Sequence, residues 1–138
     1  MLFRSEIDEL YQMYAKKSGL SETAFWILYC VRERKEPYTQ KELCDLWSYS
    51  RQTINSALKN MQAQGLIQLV LAQGNRKNKQ IVLSLQGEEL VKQVVDPLLQ
   101  AEKRVFSKMG MDNVERYLQL EHQYLQALRE EIAGICKI

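Results

Sequence analysis

The sequence predicts a mainly α-helical chain with one small β-hairpin. Three observations carry that prediction. Apolar residues recur at three- and four-residue steps over most of the length, the period changes to short apolar runs in one central stretch, and turn residues mark the junctions. The central stretch, Thr39 to Leu83, is the most informative. Thr39 with Glu42 three residues later (TQKELCDL) forms a capping box, in which each side chain satisfies a backbone N–H left free at a helix start. Trp47-Ser48-Tyr49 is long enough only for a tight turn, and Ser48 stands where glycine is commonest in such turns. Ser50 then caps a second helix, Arg51 to Gln64, with Ile54, Leu58 and Met61 on one apolar face. Gly65 is placed to end it. Two helices joined by three residues make a helix-turn-helix, with Cys44 small at the crossing and Ile54 locking the second helix onto the first.

The hairpin follows directly. Leu66 to Leu71 (LIQLVL) and Gln80 to Leu85 (QIVLSL) are apolar runs suited to strands, separated by AQGNRKNK with its Gly74-Asn75 turn signal. Helix-turn-helix plus hairpin reads as a winged helix-turn-helix.

The remaining elements are helices. Leu2 to Lys17 carries Phe3, Ile7, Leu10, Tyr11 and Tyr14 at helical steps and stops at Ser18-Gly19. Ser21 caps a helix to about Lys35, which Glu36-Pro37 ends. Gln86 to Lys108 reads as one long helix kinked near Val94 to Pro97, because an interior proline removes a hydrogen bond. Gly110 breaks it. Asp112 and Glu115 read as the capping pair of a last helix to about Gly134, with Leu118, Leu125, Leu128 and Ile132 on one stripe.

Charge points to the kind of partner. From Arg51 to Lys79 there are five cations (Arg51, Lys59, Arg76, Lys77, Lys79) and no acid, a local +5 in a chain of net charge +2, so the remainder carries −3. A basic helix face coupled to a basic hairpin tip is the electrostatic footprint of a polyanion reader. Ser50, Arg51, Gln52, Thr53, Asn55 and Ser56 are the candidates for base edges, since Gln and Asn pair with adenine, Arg with guanine, and Thr meets the thymine methyl. Lys41, Lys59, Asn75, Arg76, Lys77 and Lys79 are the candidates for phosphate and wing contacts, which set affinity and salt dependence.

The run from Thr39 to about Leu90 resembles the winged-helix segment of the MarR family of bacterial transcriptional regulators. The pieces that carry the likeness are the QKEL opening, Ser50 to Asn55, the MQAQGLI junction and the closing LSL, and the flanking helices have fitting lengths. Two positions depart from the family pattern: Lys77 and Lys79 fall where Asp-x-Arg is usual in the wing, and Gln86 stands where a Thr cap is favoured. The resemblance implies one domain over 1–138, with 39–85 as the DNA-binding segment and 1–35 and 86–138 supplying mainly dimerisation and scaffold helices. It implies a homodimer that reads double-stranded DNA at a pseudo-palindromic operator, commonly as a repressor. It also implies a small aromatic effector near Tyr11, Tyr14, Trp26, Tyr29, Tyr38 and Trp47, aromatic residues whose plain reading is core packing.

Other classes find little support. There is no G-x-S-x-G, no Gly-rich phosphate loop and no cofactor motif, so an enzyme is not expected. The lone His122 has no partner at ligand spacing, so no metal is expected. Cys30, Cys44 and Cys136 lack a C-x-x-C spacing and read as reduced thiols of a cytoplasmic protein. No apolar run approaches the ~18 residues of a membrane span. The alternative reading is a winged-helix module that binds a protein partner, and steep salt dependence on duplex DNA separates the two.

Overall fold

The computed structural model describes residues 2–46, 49–71 and 78–136. Its elements are α1 (Leu2–Lys17), α2 (Glu22–Glu33), α3 (Gln40–Leu46), α4 (Arg51–Ala63), β1 (Ile67–Leu71), β2 (Lys79–Leu83), α5 (Leu85–Val94), α6 (Asp96–Met109) and α7 (Met111–Cys136). Contacts divide them into two compact units, Met1–Leu99 and Gln100–Ile138.

In the first unit α2 is the central support. Phe25 and Leu28 of α2 are fully buried with Leu43 of α3, Ile54 and Leu58 of α4, and Val91 of α5. These apolar positions recur at helical spacing, so each helix turns one stripe inward, and each fully buried side chain contributes about 1.5–3 kcal/mol. Ile54 seats α4 as expected, while Cys44 lies only half-buried at the margin of the core.

The ends of these helices are chemically fixed. Ser21 Oγ accepts the Ala24 N–H at 3.2 Å at the start of α2. At the end of α4, Gly65 has φ of 77°, which lets Leu66 N–H reach Met61 O and Gly65 N–H reach Gln62 O. That pair of bonds is a Schellman motif, and it turns the chain directly into β1.

The strands pair antiparallel from Ile67 opposite Leu83 to Leu71 opposite Lys79. The hairpin's inner face carries the buried Ile67 and Ile81, while Gln68, Val70 and Val82 face outward. Beyond the hairpin, Thr39 bridges Gln80 and the Ile81 N–H donates to Tyr38 O at 2.8 Å. The residues before α3 therefore act as a short third strand, which the sequence pattern did not suggest.

Several boundaries differ from expectation. The helix expected to reach Lys35 stops at Glu33, with Arg34 already extended at φ −106° and ψ 134°. The second strand ends at Leu83 rather than Leu85, because Ser84 is the cap of α5: its Oγ accepts the Gly87 N–H at 3.0 Å. Gln86 is thus not the capping position. The long helix expected from Gln86 to Lys108 is two helices, α5 and α6, separated at Val95. Pro97 lies in the first turn of α6, where its missing N–H costs nothing. The last helix begins at Met111 and runs to Cys136, and the Gly110 carbonyl accepts the Val114 N–H. Asp112 consequently sits inside the first turn instead of capping it with Glu115, where its charge still favours the positive helix end. The expected turn at Trp47 and Ser48 lies outside the described residues.

Long-range bonds tie α1, α2 and the α5–α6 break together. Tyr14 Oη donates to Val94 O at 2.7 Å, covering the last carbonyl of α5. Arg32 donates from Nε and Nη2 to both carboxylate oxygens of Asp96, at 2.8 and 2.9 Å, and from Nη1 to Glu88 at 3.0 Å. No described helix is long and apolar enough to cross a membrane.

Candidate nucleic-acid interface

α4 presents two unlike faces. Ile54, Leu58 and Met61 point into the core, while Arg51, Gln52, Thr53, Ser56 and Lys59 are exposed and Asn55 is half-buried. No acidic residue interrupts the outer face. Its start is rigid: Ser50 Oγ accepts the Thr53 N–H at 3.1 Å and lies 2.8 Å from Thr53 Oγ1. Ser50 thus has a structural duty beside the base contact suggested from sequence. Behind it, burial and a neighbouring Glu22 push the Tyr49 hydroxyl above its usual pKa, while its hydrogen bond to Thr23 offsets part of that rise.

α3 packs beside α4 and carries Lys41 on its exposed side. The capping box closes as expected, with Thr39 N–H donating to Glu42 Oε1 at 3.3 Å and Glu42 N–H donating to Thr39 Oγ1 at 3.1 Å. Lys79 is exposed at the first position of β2. Asn75, Arg76 and Lys77 lie outside the described residues.

A cluster at the α2–α3 junction was not legible as a site. Arg34 Nη1 pairs with Glu42 Oε2 at 2.8 Å, its Nε donates to Glu36 O at 3.0 Å, and its Nη2 donates to Pro37 O at 2.9 Å. Its guanidinium carbon lies 3.7 Å from the Tyr38 ring centroid. The hydrogen bond from Arg34 holds the Glu42 carboxylate below its ordinary pKa, reinforced by the Thr39 N–H, and the same bond raises that of Arg34. Burial raises the Tyr38 hydroxyl. The sequence signals here are Glu42, assigned to the cap, and Tyr38, assigned to the aromatic group; Arg34 itself carries none.

Residues 18–77 match the model of the MarR family. A MarR family regulator from Neisseria meningitidis has the same fold, with a TM-score of 0.82, 19% identity, and coverage of 96% of this chain and 93% of that one. S. aureus MepR in its DNA-binding conformation gives 0.75 at 20% identity, covering 92% and 96%. The S. aureus MepR–DNA complex gives 0.67 at 20% identity, covering 92% and 95%. No curated protein sequence matches significantly. The chain has the winged-helix fold of these MarR-family structures.

The aromatic residues singled out from sequence pack largely on one another. Trp26 lies 5.6 Å from Tyr11, 5.2 Å from Tyr29 and 5.2 Å from Phe25, centroid to centroid, and Tyr14 lies edge-on to Phe25 at 5.7 Å. Burial also raises the Tyr14 hydroxyl. Tyr38 stands apart under Arg34, and Trp47 lies outside the described residues. Two clefts of about 350 and 360 Å³ have other linings: one has Arg32, Arg34 and Lys35 beside Ile81 and Leu83, the other Leu20, Leu66 and Leu90 beside Gln64, Gln86 and Gln93. Among the described residues no group of three or more His, Cys, Asp or Glu could hold a metal ion.

Proposed function

We propose that this protein is a member of the MarR family and a sequence-specific regulator of transcription that binds double-stranded DNA as a homodimer. The observation that carries the reading is the exposed, acid-free face of α4, held rigid at its start by the Ser50 cap and seated on the core by Ile54, Leu58 and Met61. In that reading Arg51, Gln52, Thr53, Asn55 and Ser56 meet base edges in the major groove, with Ser50 fixing the helix N-terminus against the backbone. Lys41, Lys59 and Lys79 hold phosphates, together with Asn75, Arg76 and Lys77. The resemblance in fold to the S. aureus MepR–DNA complex supports the same placement.

The dimer is supported by apolar surface left uncovered in the single chain. Leu10 and Met13 of α1, and Leu118, Leu125, Leu128 and Ile132 of α7, are all exposed. A second copy covering these faces makes the chain one functional domain, with 39–85 reading DNA and helices of 1–35 and 86–138 serving as scaffold and dimer interface. It also sets two α4 helices about 34 Å apart along the duplex, matching a pseudo-palindromic operator. Repression then follows from occupying the promoter, and a small aromatic effector that shifts the dimer geometry relieves it.

Mobility shifts on an operator selected from a random duplex pool, titrated with salt, test this. Arg51→Ala should narrow the gap between selected and random duplex, by about 1–3 kcal/mol if it pairs with a guanine. Lys79→Ala should weaken both alike and lower the salt slope by about one. Equal losses on both duplexes for Arg51→Ala would remove the base-reading role of α4.

A further inference from the structure

We infer that Arg34 is the positioning residue that fixes the wing relative to the helix-turn-helix, and that it acts on DNA affinity through the wing rather than by touching DNA. The inference rests on the DNA-reading role proposed above and adds a residue to it.

The reasoning starts at the wing's attachment. Besides its partner β1 and its packing on α2, α3 and α5, where Ile81 is buried, strand β2 is hydrogen-bonded to the residues just before α3, through the Ile81 N–H to Tyr38 O bond of 2.8 Å and the Thr39–Gln80 bridge. The core packing sets where β2 lies, and residues 36–39 fix its N-terminal half by hydrogen bonds, where Lys79 lies two residues from Ile81. One guanidinium orients residues 36–39. Arg34 donates to the carbonyls of Glu36 and Pro37, stacks on the Tyr38 ring and pairs with Glu42, which in turn accepts from the Thr39 N–H. Every residue from Glu36 to Thr39 is thus held by Arg34 directly or through Glu42. A planar fork with several fixed donors suits this task, and a lysine ammonium does not, because it cannot stack flat while donating to two carbonyls and a carboxylate. The side chain is one-third exposed, so the fold does not depend on its burial.

Two variants test the inference: Arg34→Met, and Arg34→Lys, which keeps the charge. The first readout is amide hydrogen exchange in the full-length protein. Exchange at Ile81 should quicken about tenfold in both variants, while amides within α4 keep their wild-type rates. The second readout is duplex affinity against salt. Both variants should lower the slope by about as much as Lys79→Ala, and adding Lys79→Ala to either should lower it little further, because both changes remove the same wing contact. Wild-type behaviour of Arg34→Lys would show that charge alone matters, and an additive slope would make Arg34 a phosphate contact; either overturns the inference. A uniform rise in exchange across α4 and β2 would make it a general stabiliser and overturn it equally. If the wild type binds no duplex, the DNA-reading role fails by itself, and exchange at Ile81 still decides whether Arg34 holds the wing.

Discussion

Gly87 offers a test in which local propensity and tertiary packing predict opposite signs. It lies in the first turn of α5 and is buried. By helix propensity alone, Gly87→Ala should stabilise the protein by about 1 kcal/mol. The structure says otherwise. A Cβ built at position 87 would lie 2.0 Å from the Leu66 carbonyl oxygen, 3.0 Å from Leu66 C and 3.3 Å from Leu83 Cδ2. Since real contacts of this kind stay above 3.0 Å, the two backbones must separate by about 1 Å. The obstacle is main chain, which cannot swing aside as a side chain would. The same Leu66 carbonyl accepts the Ser84 N–H at 3.0 Å, and Ser84 Oγ donates to Gly65 O, so the shift also strains the junction of α4, β1 and α5.

Overpacking of this kind costs about 1–3 kcal/mol, and each weakened hydrogen bond adds about 1 kcal/mol. Less the propensity gain, Gly87→Ala should destabilise by about 2–4 kcal/mol. With a urea slope of about 1–3 kcal/mol/M, the unfolding midpoint should fall by about 1–2 M. Urea denaturation followed by far-UV circular dichroism, at one fixed protein concentration, measures it. Gly134→Ala is the control: Gly134 lies in α7 with nothing within 4 Å of its would-be Cβ, so the substitution should be neutral or stabilising by up to about 1 kcal/mol. A Gly87→Ala protein as stable as its parent would refute the close packing of α5 on Leu66.

Arg32→Met should cost about 1–2 kcal/mol, because a bidentate pair is lost but both side chains are about 30% exposed and partly screened (29% and 30%); a double-mutant cycle with Asp96→Asn should show coupling above about 0.5 kcal/mol in urea. Glu42, whose folded pKa lies below its ordinary 4.5, contributes stability that is fully present above that value and is lost as pH falls through the folded one. Urea midpoints should therefore fall below pH 4.5, and Glu42→Gln, which keeps the capping box but not the charge, should remove that part of the slope. In α7 only Val114 is buried among the described residues of 26, so thermal midpoints should rise with protein concentration. Leu125→Glu with Leu128→Glu should give a monomer by sedimentation, and an unchanged dimer would place the interface elsewhere.

What could be read from the sequence was whatever is settled within a few residues. Thr39 and Glu42 were recognisable as a capping box because both partners lie within one turn, and Gly65 because only a positive φ closes a Schellman motif there. Ser84 shows where such local reading stops. It follows an apolar run and so reads as strand, and its N–H does bond to Leu66 O while its hydroxyl caps the helix. One residue serves both periods, so a pattern that assigns each residue a single state misplaces the boundary. The α5–α6 break shows a different limit. Pro97 signalled an interruption, but Tyr14 and Arg32, which hold the break, come from residues 80 and 64 positions away, and no local pattern carries that pairing.

The same distinction separates the candidate interface from the residues that orient it. The six positions proposed for base edges came from one helix face and looked equivalent in sequence. The structure makes them unequal: the Ser50 and Thr53 hydroxyls lie 2.8 Å apart and bond one another, Asn55 is half-buried, and Arg51, Gln52 and Ser56 are exposed. A hydroxyl already bonded must exchange that bond before it can meet a base, so it contributes less net discrimination than a side chain that starts in water. Specificity should then concentrate on Arg51 and Gln52, whose donors can form paired bonds to guanine and adenine. Saturation mutagenesis of 50–56 should accordingly change the selected operator at Arg51 and Gln52, and should change mainly helix stability at Ser50. If substitutions at Ser50 that preserve the cap, such as Ser50→Asp, still alter which bases are selected, the hydroxyl reads DNA after all and the ranking fails.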